Sequence, residues 1–334
     1  LAERVGERNL LVVGTAIAGL AYIGLGLSSG FVALLAILFF VGLGSAVQHP
    51  LSASIISSAY ATGPRRAALG TYAFAGDVGK FAFAGGLGLL IAAGIDWRGP
   101  VVSLGVFTVL AAVVVLFVLL AVQIGGRPEK PQEKAEEARV SGWGIREPIG
   151  FGALLGIMIV DNCTRNGFLT FVAFLLIAGN VDTELAAMAI PAILLGGMWG
   201  KLACGVLAER VGIIRTVIIT EIGTAIGIVV MIFVEGDMAL FILPLLGIVL
   251  NGTSSVLQGT IGDLVDQERQ SRAFGLFFAI SAACGIVAPL GFGLLADAIS
   301  IPTTMFVIAG ILLLTFPLCL VLSPILRAAA SPAE

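Results

Sequence analysis

The sequence predicts an all-α membrane protein built as two pseudo-symmetric helical bundles, and three observations carry that prediction. Hydrophobic residues fill 58% of the 334 positions and charged residues only 12%, about half the charged share of a soluble globular chain. The apolar residues fall in ten long runs. The hexapeptide LAERVG occurs at 1–6 and again at 207–212. The runs are continuous instead of alternating, which favours helices over a barrel.

A helix needs roughly 20 apolar residues to cross about 30 Å of hydrocarbon. Ten stretches meet this, giving ten expected transmembrane helices at 9–27, 31–61, 67–94, 99–123, 148–179, 184–207, 213–234, 238–262, 270–297 and 301–323. Lys and Arg set the orientation. With residue 1 on the cytoplasmic side, 14 of the 18 basic residues fall in cytoplasmic segments, Arg98 alone falls opposite, and Lys80, Arg165 and Lys201 lie inside spans. The asymmetry fits the positive-inside rule and places both termini in the cytoplasm. The expected location is a cell membrane, specifically the bacterial inner membrane, crossed many times.

Residues 124–147 are charged and carry Gly and Pro near their start, the composition of a linker. They divide the chain into an N-terminal bundle at 1–123 with four helices and a C-terminal bundle at 148–325 with six. The two are related at an offset of 205–206: RAALG at 66–70 resembles RAFG at 272–275, and Gly86-Leu87-Gly88-Leu89-Leu90 matches Gly291-Phe292-Gly293-Leu294-Leu295. Residues 1–123 thus repeat 207–323, and the spans at 148–179 and 184–207 have no counterpart in the first part. Parallel repeats of this kind are a transporter architecture.

The repeated loop resembles the signature of the major facilitator superfamily, Gly-x-Leu-Ala-Asp-Arg-x-Gly-Arg-Arg, which lies between helices two and three and again between eight and nine. Here it reads Leu1-Ala2-Glu3-Arg4-Val5-Gly6-Glu7-Arg8 and Gly205-Val206-Leu207-Ala208-Glu209-Arg210-Val211-Gly212, with Glu for the usual Asp both times. Gly42-Leu43-Gly44-Ser45 with His49-Pro50 and Ser52 is similar to fosmidomycin-resistance-type efflux proteins. The resemblance implies a secondary active transporter of a small organic solute, working by alternating access as a proton-coupled exporter. A proton-coupled uptake symporter for a small organic anion, and a non-transporting membrane protein with a signalling or assembly role, are the alternatives. It also implies that the ten helices are numbers three to twelve of a twelve-helix family, so the chain is expected to be a fragment or the product of a truncated reading frame. Two family features are absent: GDVGKFAFAGGLG in helix five lacks the Gly-Pro of proton antiporters, and Leu38 stands near the place of a frequent helix-four Arg.

An ionisable side chain in hydrocarbon costs roughly 2.5–3.5 kcal/mol on insertion scales, so each is a candidate for function. Asp161 and Arg165, spaced i, i+4, share a helix face, and Asp161 lies about 20 Å into its span. With Asn162, Thr164 and Asn166 they form the most polar mid-membrane stretch, a candidate for substrate or proton coupling, or else a salt bridge pinning the helix to a neighbour. Asp77 and Lys80, spaced i, i+3, are a second candidate proton relay, or a self-neutralised pair. Lys201 and Glu221 flank the loop at 209–212 at similar depth on consecutive helices and read as a structural ion pair. His49 sits before a helix-kinking proline and either contributes to the site or bonds a carbonyl freed by the kink. Asn251, Thr253, Ser254 and Gln258 add polarity to the span at 238–262. By resemblance, Glu3-Arg4 and Glu209-Arg210 are gating loops. Asp263 and Asp266 are the expected partners of Glu209-Arg210, whereas 57–63, SSAYATG, offers none to Glu3-Arg4.

Other classes are disfavoured. The net charge of −3 gives no footprint for nucleic acid. There is no phosphate-binding loop, no Cys/His metal spacing and no catalytic triad, so no enzyme activity and no cofactor are expected. Cys163, Cys204, Cys284 and Cys319 all fall in apolar runs and read as small hydrophobes. Expected partners are a small-molecule substrate, protons and the lipid bilayer, with the protein acting as a monomer. Two glycosylation-like triplets, beginning at Asn162 and Asn251, lie inside spans, out of reach of a modifying enzyme.

Overall fold

A computed structural model of the protein describes residues 2–126, 143–186, 188–234, 236 and 238–330. Most of the expected linker, including Arg127, Lys130, Lys134 and Arg139, lies outside the described residues, as does Leu1. Helices dominate: α1 (Ala2–Val5), α2 (Glu7–Leu27), α3 (Phe31–Ala46), α4 (Gln48–Ala59), α5 (Arg65–Ala92), α6 (Arg98–Ala121), α7 (Pro148–Ala178), α8 (Thr183–Ala186), α9 (Ala189–Val211), α10 (Ile213–Phe233), α11 (Met238–Leu264), α12 (Gln270–Ile299), α13 (Ile301–Ile311) and α14 (Thr315–Ala330). Among the described residues there is no strand, only one isolated bridge between Ile145 and Val265.

Nine of the described helical segments are long and apolar enough to cross a membrane. α7, the tenth of the expected spans, has 31 residues, but the polar run from Asp161 to Asn166 lowers its hydropathy. The expected span at 31–61 breaks between α3 and α4, because Pro50 lacks the N–H that would bond Ala46, the last residue of α3. The expected start at 184 moves to Ala189: Thr183–Ala186 forms a separate turn, and Pro191 falls in the first turn of α9, where proline is tolerated.

The contacts group the chain into two compact units that differ from a simple division at the linker. The first comprises 1–59, 78–144 and 267–275, and the second 60–77, 145–266 and 276–334. α5 contributes to both. In the first unit, glycines bring α2 against α3 and α6. A Cβ on Gly44 would lie 2.6 Å from the Gly14 carbonyl oxygen, and one on Gly105 would lie 2.7 Å from that of Gly19. Leu11, Leu51 and Ile55 close a small core with Leu119 and Ile124. Large apolar side chains on α3 and α6, such as Phe39 and Phe117, are exposed, as a lipid-facing surface requires.

The second unit has a larger core, in which Phe168, Ile193, Ile228, Leu243 and Met305 are fully buried. Its tightest contact is backbone on backbone between α9 and α11. A Cβ on Gly196 would stand 1.8 Å from the Pro244 carbonyl oxygen, and one on Gly200 would stand 2.1 Å from that of Ile248. The start of α5 joins the same pair: a Cβ on Gly70 would lie 2.5 Å from the Lys201 oxygen and one on Gly205 would lie 2.5 Å from the Arg66 oxygen. Small residues are the usual means by which membrane helices approach this closely.

The repeat is also conformational. Gly6 and Gly212 hold the same place in the two LAERVG copies and have φ of 94° and 96°. Each ends one helix and starts the next, accepting from Leu10 and Thr216 respectively. A side chain there would strain the backbone.

Gly196→Ala is expected to destabilise the protein by roughly 1–3 kcal/mol or more through overpacking, read as a lower melting temperature in detergent. Gly152→Ala, with nothing within 4 Å of its new methyl, should leave the melting temperature unchanged or slightly raised.

Candidate functional site

Five ionisable side chains of the second unit lie at similar depth. Asp77 on α5, Asp161 and Arg165 on α7, Lys201 on α9 and Glu221 on α10 are each about 12–26 Å along their helix from the end that meets the Arg-bearing loops. Asp77 and Lys201 form an ion pair, with side chains 15% and 18% exposed. The close passage of α5 over α9 at Gly70 explains it: Asp77 lies two helical turns farther along α5, and Phe74 and Trp199 pack beside it with ring centroids 5.1 Å apart. Arg165 lies 3.8 Å from Asp161 and also donates to the Asn162 side chain. Asn162 accepts from Ser281 on α12 at 2.9 Å and donates to the Met158 carbonyl, so α7 and α12 are tied at this level. Asp161 is 5% exposed and feels the charge of Lys201 as well as that of Arg165.

The expected Lys201–Glu221 pair is corrected. Lys201 is held by Asp77 instead, and Glu221, 1% exposed, turns toward α11. There Thr253 Oγ1 lies 2.9 Å from Glu221 Oε1 and 2.7 Å from Thr220 Oγ1. Glu221 also feels the charges of Asp161 and Arg165. Spacing along consecutive helices gave similar depth but could not say which faces meet. The threonines at 220 and 253 were the available signal for Glu221, since a buried acid needs nearby hydroxyls when no base reaches it.

Other expected residues take different places. Asn251 is buried, donates to the Gly247 carbonyl at 3.2 Å, and fills the space left by the missing side chain of Gly197. Gln258 is half-buried two turns farther along α11. His49 is exposed on α4, in the first unit, and Lys80 is exposed on the part of α5 that belongs to that unit.

The loop residues form two ion-pair clusters. In the second unit Asp263 takes Arg65 at 2.9 Å and also Arg66. Glu209 accepts from the Arg66 backbone N–H at 2.8 Å, placing an acid at the N-terminus of α5, where the helix dipole favours it. Asp266 faces Arg146 at 3.6 Å. Asp263 and Asp266 are therefore engaged by Arg65, Arg66 and Arg146, not by Arg210, which is exposed at the end of α9. In the first unit Glu3 is bound by Arg269 at 2.6 Å and by Arg272, while Arg4 is exposed on α1. The expectation that the first loop lacks partners holds only for its own half. The repeat offset of 206 carries Glu3 to Glu209 and Arg66 to Arg272, so the two loops bind symmetry-related arginines, each from the opposite half of the sequence.

The sequence pattern of the Major Facilitator Superfamily matches residues 1–199 and 154–334. A Bacillus subtilis (strain 168) protein, the uncharacterised MFS-type transporter YfnC, is 27% identical over 311 residues, covering 90% of this chain and 73% of that one. Three solved structures share the fold. The human organic anion transporter MFSD10 (TETRAN) superposes with a TM-score of 0.78 at 13% identity, over 95% of this chain and 78% of that one. A bacterial homologue of the iron transporter ferroportin, in an outward-facing state, gives 0.69 at 13% identity over 96% and 84%. The Escherichia coli fucose:proton symporter FucP gives 0.66 at 13% identity over 97% and 84%.

Removing one partner of a desolvated pair strands the other charge. Asp77→Asn or Lys201→Met alone should cost about 3 kcal/mol each, and the double variant should recover most of it. Additive losses in thermal unfolding would show that the pair is not what joins α5 to α9. At the loops, Glu3→Arg should lower the melting temperature, and adding Arg272→Glu should restore part of the loss through a coupling of roughly 0.5–3 kcal/mol.

Proposed function

Because the chain belongs to the major facilitator superfamily, we propose that this membrane transporter moves a small organic solute by alternating access, with proton coupling, in the outward direction. The observation that carries the reading is the buried Asp161–Arg165 pair on α7, only loosely closed at 3.8 Å and bracketed by Asn162 and Ser281. A guanidinium held mainly by a neutral amide is a ready partner for an anionic or hydroxylated solute. An acid whose nearest base is shared with that solute changes its hold on a proton as the solute arrives and leaves. Substrate and proton compete for one place when a solute donor binds ionised Asp161, because the proton that neutralises Asp161 removes the charge that holds the solute. When a solute anion takes Arg165 instead, Asp161 loses its counter-charge and binds a proton along with it, the sense of the uptake reading below. The outward direction is supported by the likeness of Gly42-Leu43-Gly44-Ser45 and His49-Pro50 to efflux proteins of the fosmidomycin-resistance type.

A second reading, proton-coupled uptake of a small organic anion, is favoured by Arg165 itself, the one basic side chain on α7. Proteoliposomes given a panel of radiolabelled small organic acids separate the two. Accumulation when the lumen is the acidic side supports antiport. Accumulation when the outer solution is acidic overturns export in favour of uptake, and indifference to the gradient removes proton coupling. Asp161→Asn is expected to lower gradient-driven accumulation on the order of tenfold or more while exchange without a gradient persists.

A further inference from the structure

Among the described residues of the second unit, the interior layer carries three acids, Asp77, Asp161 and Glu221, and two bases, Arg165 and Lys201. Asp77 has Lys201 and Asp161 has Arg165. Among the described residues Glu221 makes no ion pair: its Oε1 meets Thr253, and its Oε2 is buried with no hydrogen-bond partner there. A bare carboxylate oxygen in that position costs several kcal/mol, far more than a neutral carboxyl group.

The hydroxyls around it allow a count of hydrogens. Thr220 Oγ1 lies 3.0 and 2.9 Å from the Thr216 and Val217 carbonyls. Thr253 Oγ1 lies 2.7 Å from Thr220 Oγ1 and 2.9 Å from Glu221 Oε1. Three links in a row, carbonyl to Thr220, Thr220 to Thr253 and Thr253 to Glu221, need three hydrogens. Two hydroxyls supply two. With Thr220 donating to the carbonyl and Thr253 donating to Thr220, the third hydrogen belongs to Glu221, which donates to Thr253.

We propose that Glu221 is held in the membrane as a neutral carboxylic acid and is the proton store of the Asp161–Arg165 site. The use of that proton in transport rests on the proton-coupled reading above; the protonation itself does not. The groups that face Glu221 are Asp161 and Arg165 from α7 and Cys319 from α14. On α9, Lys201 acts on Asp161, and α13 has no ionisable residue. Asp161 Oδ2, like Glu221 Oε2, is buried and accepts no hydrogen bond. The step is a proton transfer: the O–H bond of Glu221 breaks, a new one forms on Asp161 when Arg165 is drawn away, and the charge on the layer is conserved until the proton leaves for water. The other monovalent ion that could sit at a carboxylate without a basic partner is sodium.

Infrared spectra of the purified protein in lipid test this. A carboxylic C=O stretch is expected at neutral pH, lost in Glu221→Gln and shifted, not lost, in Thr253→Val. Glu221→Gln, which keeps the shape of the neutral acid, should melt within a few degrees of the parent protein and lose on the order of tenfold in gradient-driven accumulation. A spectrum that Glu221→Gln leaves unchanged overturns the proposal. So does a sodium-dependent rise in melting temperature, against choline at equal ionic strength, that Glu221→Gln abolishes. If the band is present but transport ignores the pH gradient, the coupling reading fails and the protonated Glu221 stands. If transport follows the gradient and the band is absent, the reverse holds.

Discussion

A lysine well inside a membrane helix must be matched by an acid, and the need to match Lys201 organises the second unit. Its partner Asp77 is not on a sequence neighbour but on α5, which reaches α9 because Gly70 and Gly205 let the two backbones nearly touch. On the same helix α9, Gly196 and Gly200 let α11 approach as closely. In water the pair would be worth little. In hydrocarbon it decides which helices can lie together, because any other arrangement strands a charge. Asp161, Arg165 and Glu221 are tied less closely: Arg165 lies 3.8 Å from Asp161, and Glu221 meets the Thr253 hydroxyl.

The ends of the helices are held differently. There one acid serves two bases: Asp263 takes Arg65 and Arg66, and Glu3 takes Arg269 and Arg272. Arginine suits such a place because its planar fork stays charged and can share a carboxylate with a second arginine. The second cluster is richer by Asp263 and Arg65, whose repeat counterparts at an offset of 206 are Ser57 and Ser271.

Much of this fold was legible in the sequence. The spans followed from continuous apolarity and the repeat from LAERVG. Asp161 and Arg165 could be read as neighbours because i, i+4 spacing on one helix is local geometry. What could not be read was partner choice across helices. Lys201 and Glu221 match in depth but not in direction, and nothing local separates Asp77 from Glu221 as the acid for Lys201. Glu3 was assigned no partner because its own half has none. The arginines that bind it lie more than 260 residues away, at separations of 266 and 269, where only the folded chain can show them.

That separation has a consequence for the order of events during synthesis. Glu3 is made long before its arginines, which follow 266 and 269 residues later. At roughly 5–20 residues per second the interval is tens of seconds. Through that time the first loop has its helices but not its clamp, and the segment from 60 to 77 likewise waits for α9 and α11 to supply its contacts. The helices can be inserted one after another, but the closing of their ends cannot be sequential. It must come late and nearly together, when each half meets the residues the other has held for it.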